Sequence, residues 1–168
     1  MYIPEEFQIA TTEPISLFEM KKKLSLSEIS YCSVEEQLPV ANARRMGAEF
    51  ASEFSRVKEQ DVPEKVGAIY LLTQNCCADE IYRHLSVKGV MHIAHLLKLL
   101  RDQAQGGRGV LLVDPQRTNI SFIRNGKGIV KLVEATRFMG TWYLNACAIR
   151  NDMELPVSSY ILSAHLEP

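Results

Sequence analysis

ISFIRNGKGIVKLVEATRFMGTWYLNACAI, residues 120–149, decides the fold class. Three runs in it, ISFIR (120–124), GIVKLVEA (128–135) and TWYLNACAI (141–149), are rich in branched and aromatic residues and short enough for strands. Asn125-Gly126 separates the first two. Such a pair favours a type I′ hairpin turn, which needs positive φ at both central positions. In the third run Trp142, Leu144, Ala146 and Ala148 share one face, and Tyr143, Asn145 and Cys147 the other. That alternation predicts a sheet with one buried face. VLLVD (110–114) and VSSYILSA (157–164) extend the set to an antiparallel meander of four or five strands, with NDMELP (151–156) as the last connection.

Upstream of residue 110 the period changes. Val40, Ala43, Gly47, Phe50, Phe54 and Val57 recur at steps of three and four, one face of an amphipathic helix. Pro39 is tolerable in its first turn, and KEQDVPEK (58–65) ends it with Pro63 as the stop. VGAIYLL (66–72) is a buried strand. NCCADEIYRHL (75–85) is a helix with Asn75 as N-cap and Asp79 and Glu80 in its first turns. After a break at VKG (87–89), KGVMHIAHLLKLL (88–100) forms a core helix, with Val90, Ile93, Ala94 and Leu97 inward. QAQGGRG (103–109) closes it. Residues 1–33 keep no sustained period. Pro4, Pro14 and the charged MKKKLSLSE (20–28) predict a partly irregular arm with one short helix. The expected fold is therefore α+β: an arm over 1–33, then a single domain over 34–168 in which N-terminal helices pack on a C-terminal antiparallel meander of four to five strands.

The chain of 168 residues is 46% hydrophobic and 23% charged, with 19 basic and 20 acidic side chains and a formal net charge of −1. No global field draws it to nucleic acid or an anionic membrane, so RNA contact would have to rest on a local basic patch. Two glutamates occupy the N-terminal stretch where a signal peptide would be positive, and no run approaches a membrane span. Cys32, Cys76, Cys77 and Cys147 are expected as reduced thiols in a cytoplasmic protein, with export by a specialised system left open. Adjacent Cys76 and Cys77 are poorly placed to bridge each other.

His92 and His95 form an H-x-x-H pair that Cys76, Cys77 and His84 could complete, but the spacing matches no zinc motif. They are expected at a helix–sheet interface, hydrogen-bonded to backbone. Cys76 or Cys77 near a helix start resembles a cysteine nucleophile, yet the strand region holds no histidine before His165, so buried thiols are expected. QGGRGVLLVDP leads from helix to strand, the reverse of a phosphate loop. Arg117, Arg124, Lys127, Lys131, Arg137 and Arg150, with Tyr143 and Tyr160, would line either an RNA-contacting groove or a solvated outer sheet face. The second is preferred.

The order of elements in YRHL…HIAHLLKLL, ISFIRNGKGIVKLVEA, GTWYLNACAI and SSYILS, roughly residues 66–164, resembles the barnase, EndoU, colicin and RelE-like group of small bacterial and phage nucleases. That resemblance implies a toxin-type endoribonuclease acting without metal or cofactor by acid–base chemistry. His84 or His92 would serve as base, Arg117, Arg124 or Lys131 as charge stabiliser, and Ser158 or Tyr160 as phosphate contact. The alternative is a non-enzymatic protein-binding module, such as an immunity protein, secretion adaptor or regulatory partner, acting through its sheet face or helix groove. On either reading no membrane is a partner.

Overall fold

The computed structural model describes residues 16–166. In chain order the elements are β1 (Phe18–Leu26), β2 (Ile29–Ser33), α1 (Val34–Val40), β3 (Arg45–Met46), α2 (Ala48–Phe54), β4 (Lys58–Val62), β5 (Lys65–Leu72), β6 (Cys76–Cys77), α3 (Ala78–Leu85), a 3-10 turn (Val87–Gly89), α4 (Ile93–Asp102), β7 (Asn119–Arg124), β8 (Val130–Phe138), β9 (Thr141–Cys147), β10 (Glu154–Leu155) and β11 (Tyr160–Ser163). The protein is mixed α/β around a mostly antiparallel sheet.

The expected meander exists as β7-β8-β9, but it is only part of a seven-stranded sheet of order β1-β5-β11-β7-β8-β9-β3. β11 enters between β5 and β7 and runs parallel to β7; β3 adds to the far edge parallel to β9. The remaining neighbours are antiparallel. Two small ladders, β2–β4 and β6–β10, stand apart from it. The sheet carries a core on each face. Ile69, Ile123, Val133, Ala135, Trp142, Leu144 and Leu162 pack with residues of α1, α2 and α4. Ala68, Tyr70, Ile120, Phe122, Leu132 and Ile161 pack with Ile81 and Leu85 of α3. Burial on both faces explains why several strand runs lack polar alternation.

The helices-then-strands order is corrected by the N-terminal half. Residues 18–33 are not an irregular arm or a helix: β1 is an edge strand on β5, and β2 pairs with β4. Three successive lysines, Lys21 to Lys23, hide the period of two in β1, which bulges between Met20 and Lys22. Lysines and a bulge are how exposed sheet edges avoid pairing with other chains. Pro4 and Pro14 lie outside the described residues.

The long helix through Val40 and Val57 is two short ones. Pro39 falls in the last turn of α1, and Asn42 at φ 57 reverses the chain into β3. The Asn42 side chain donates to the carbonyls of Ala104 and Gly140, both at 2.9 Å. Left-handed backbone costs roughly 1–2 kcal/mol at an ordinary residue and less at asparagine. Burying Phe50 and Phe54 from α2 contributes roughly 1.5–3 kcal/mol each, so the break wins. KEQDVPEK is no helix stop either: Lys58–Val62 is β4, and Pro63 sits in the connection to β5.

VLLVD forms no strand, because side-chain amides replace its ladder. Buried Gln103 accepts from the Leu111 N–H and donates to its carbonyl, and Asn119 does the same for Leu112. Asn75 does not cap α3. Cys77 holds that position, while Asn75 Oδ1 accepts from the Val157 N–H. The Asn125-Gly126 hairpin is real but its loop runs from Asn125 to Ile129, with Gly128 in the left-handed region. The type I′ geometry appears instead at Met139-Gly140, where φ is 50 and 77 and Phe138 pairs with Thr141.

Candidate functional site

Strand β8 has a closed polar network at its start and an open, mainly apolar hollow toward its other end. At its start, Asn125 organises the β7–β8 loop. Its Oδ1 accepts from the N–H groups of Lys127 and Ile129, both at 2.9 Å, and its Nδ2 donates to Glu53 of α2. Lys131 lies 3.7 Å from the same carboxylate. Ser52, Glu53, Arg56, Val57, Asn125, Gly126 and Lys127 line a cavity of about 240 Å³ between α2 and this loop.

His92 reaches the same end of the sheet, because Met91 bridges Ile123 and the chain then runs parallel to β7. It occupies the N-cap position of α4, and its ring Nδ1 donates to Glu59 Oε2 at 2.8 Å. Glu59 Oε1 accepts from the Ala94 N–H at 2.8 Å, so a carboxylate from β4 caps the helix and orients the imidazole together. His95 is buried at 1% exposure and donates from Nε2 to the Ser27 carbonyl at 3.0 Å, as expected of an interface histidine. Among the described residues its Nδ1 meets no hydrogen-bond partner, and burial holds its pKa below the ordinary value. The backbone-bonded reading thus holds for His95, and His92 bonds a carboxylate instead.

The seven nuclease candidates do not converge on one site: Arg117 meets Ser158 and Tyr160, apart from both histidines. Among the described residues no hydrogen bond, ion pair or ring contact joins any two of His84, His92, Arg124, Lys131, Ser158 and Tyr160. His84 is exposed on α3, across the sheet from α4, with its ring edge-on to Phe18 at 5.9 Å. Arg124 and Lys131 point to opposite faces: Lys131 pairs with Ile123 of the first core, Arg124 with Val130 on the second. Arg124 donates to the Gly128 carbonyl. Tyr160 pairs with Asn119, four residues from Ile123 and so roughly 13 Å along the sheet at about 3.3 Å per residue. Ser158, at φ 75, accepts from Arg117 through its carbonyl, and that guanidinium also covers the Tyr160 ring.

Nor do the basic residues make one solvated patch. Arg137 is buried, donates to the carbonyls of Ala104 and Gly140, and lies over Trp142. No group of three metal-ligating side chains occurs among the described residues. Cys76 donates its thiol to Glu80, and burial with that carboxylate pushes its pKa up to about 12, the opposite of an activated nucleophile.

At the other end of β8 the surroundings reverse. Arg45, Glu134, Thr136, Phe138 and Tyr143 line an open, mainly apolar hollow of about 370 Å³ on the face away from Trp142. Cross-strand pairing of Thr136 with Tyr143 and of Tyr143 with Arg45 fixes its floor. The Glu134 carboxylate has no hydrogen-bond or ion-pair partner among the described residues, and burial raises its pKa. Arg45 turns instead toward Met139, with Nη1 3.8 Å from Sδ. Met139 is 73% exposed, its chain neighbour Phe138 is exposed too, and the turn between the strands is thus apolar.

None of Glu134, Phe138, Met139 and Arg45 stands out in the sequence as a site residue. RFMG carried a usable signal: two large apolar residues where a turn ordinarily places polar ones. Fold and sites together define a mixed α/β protein with one closed polar network and one open apolar hollow. No family model, curated protein or solved structure matches the chain.

Proposed function

We propose that the protein is a binding module that engages a protein partner through the β8–β9 turn and the hollow beside it. The observation that carries this reading is the pairing of backbone strain with apolar exposure at Met139. A left-handed methionine costs roughly 1–2 kcal/mol relative to glycine, and a side chain 73% exposed, touched by Arg45 through its sulfur, recovers little of that within the fold. Large apolar side chains clustered on a surface mark interaction sites. A photo-crosslinking amino acid at Met139, in cells of the source, tests it. A discrete adduct that disappears with Phe138→Ser, and is absent with the probe at Lys98, is expected. Equal adducts at both positions would count against the surface.

A second reading, metal-independent RNA cleavage, has one observation in its favour. The His92–Glu59 bond holds the imidazole in one orientation, as a general base requires, at the end of the sheet where Arg56 and Lys127 line a cavity. His84, Ser158 and Tyr160 take no part in this version. Purified protein incubated with RNA in EDTA should cleave it, and Glu59→Gln and His92→Ala should each abolish cleavage. Cleavage that survives both variants removes the pair from the mechanism.

A further inference from the structure

We infer that the hollow on the β8–β9–β3 face receives an arginine side chain of the protein partner, with Glu134 taking its guanidinium and Phe138 and Tyr143 flanking it. This rests on the binding reading above and names the chemistry of the same surface.

Glu134 gives the hollow its one acidic group. It is part-exposed there and has no hydrogen-bond or ion-pair partner among the described residues, so its carboxylate is free to accept a charged donor from outside. The nearby cations are already engaged. Lys131 lies on the other face with Glu53, Arg137 is buried among carbonyls, and Arg45 points at Met139. None lies within ion-pairing distance of Glu134. The walls suit a planar cation, since rings attract a guanidinium over their faces while a carboxylate accepts two of its parallel N–H groups. An ammonium satisfies the charge and stacks less well, so arginine is preferred over lysine.

The shape selects a protein segment over a free small molecule. A small ligand is held by enclosure of most of its surface. Here the hollow is open, and its wall ends at exposed Phe138, next in the chain to the exposed Met139 of the turn. An anchoring arginine surrounded by apolar contacts is a recurrent interface arrangement. Thr136 is held by its hydroxyl bond to Thr118 at 3.1 Å, so the floor is preformed.

The test titrates the full chain with three probes, Ac-Ala-Arg-Ala-NH2, its norleucine counterpart and agmatine, following backbone amide shifts. Saturable shifts from the arginine peptide at residues 134–143 are expected, with weaker ones from agmatine. Glu134→Gln should weaken the peptide about tenfold or more, as loss of a charge-assisted bond does. Equal binding of the norleucine peptide would overturn the inference while leaving the apolar surface reading intact. Tighter binding of agmatine than of the peptide would overturn the assignment to a protein segment. Undiminished binding by Glu134→Gln, or no shift from any probe, would also overturn it.

Discussion

The two ends of β8 solve the same problem, turning the chain, by opposite means. At Val130 the loop is a closed circuit. Asn125 satisfies two backbone donors and bonds Glu53, which also meets Lys131, and its backbone bonds Gly128 and Ile129. At Phe138 the turn is two residues long and strained at a methionine, and the hollow beside it holds Glu134, a carboxylate with no partner among the described residues. Polar groups that are satisfied internally have little left to offer a ligand. The difference teaches where stability ends and binding capacity begins along a single strand.

The largest expected effect lies at the closed end. Asn125→Ala strands two backbone N–H groups and the Glu53 carboxylate, and should cost roughly 2–4 kcal/mol, read as a lower urea midpoint at unchanged slope. A loss below about 0.5 kcal/mol would mean that water replaces the side chain and the network is not what closes the loop. At the open end the sign reverses. Met139→Asn places a residue suited to a type I′ turn at φ 50, so stability should rise by roughly 0.5–1 kcal/mol while crosslinking to a partner weakens. Stabilisation without any loss of partner binding would separate strain from function and break the comparison.

How much of this the sequence disclosed follows from the same contrast. β7, β8 and β9 were legible because their own residues carry the pattern: Trp142, Leu144 and Ala146 inward, Tyr143 outward. α4 was legible through Ile93, Ala94 and Leu97. β1 was not, since its lysines answer to an edge and not to a face. β3 was not, since two residues hold no period. The apparent helix period from Val40 to Val57 arose by chance across two helices and a strand, with Val40 ending exposed. The insertion of β11 beside β7 is a long-range pairing that no local signal encodes. Asn125 was legible as a turn residue although its role there is carried by the side chain. Of the nuclease candidates, His92 and Lys131 reach one end and one face, while Arg117, Ser158 and Tyr160 meet elsewhere; long-range pairing sets both groupings, and no local signal encodes them. Glu134 became notable only once its neighbours failed to pair with it.

The smallest effect is a slope with pH, and it distinguishes the two ends by sign. His95, near the closed end, is held below its ordinary value of 6.5 by burial, so the unfolded chain takes up a proton first as pH falls. Stability from this group is full above 6.5 and declines on acidification. Glu134 is raised above its ordinary 4.5 by burial, so the folded state keeps its proton longer. Its contribution is fully present below 4.5 and is lost as pH rises through the folded value. Glu134→Gln removes only the second slope. The variant's stability relative to the natural chain should therefore be flat below 4.5, climb above it, and level off once the folded carboxyl is ionised. Denaturant midpoints taken across that range measure this directly. A difference that stays flat would show that Glu134 finds a partner or solvent in solution, and the open end would then be as satisfied as the closed one.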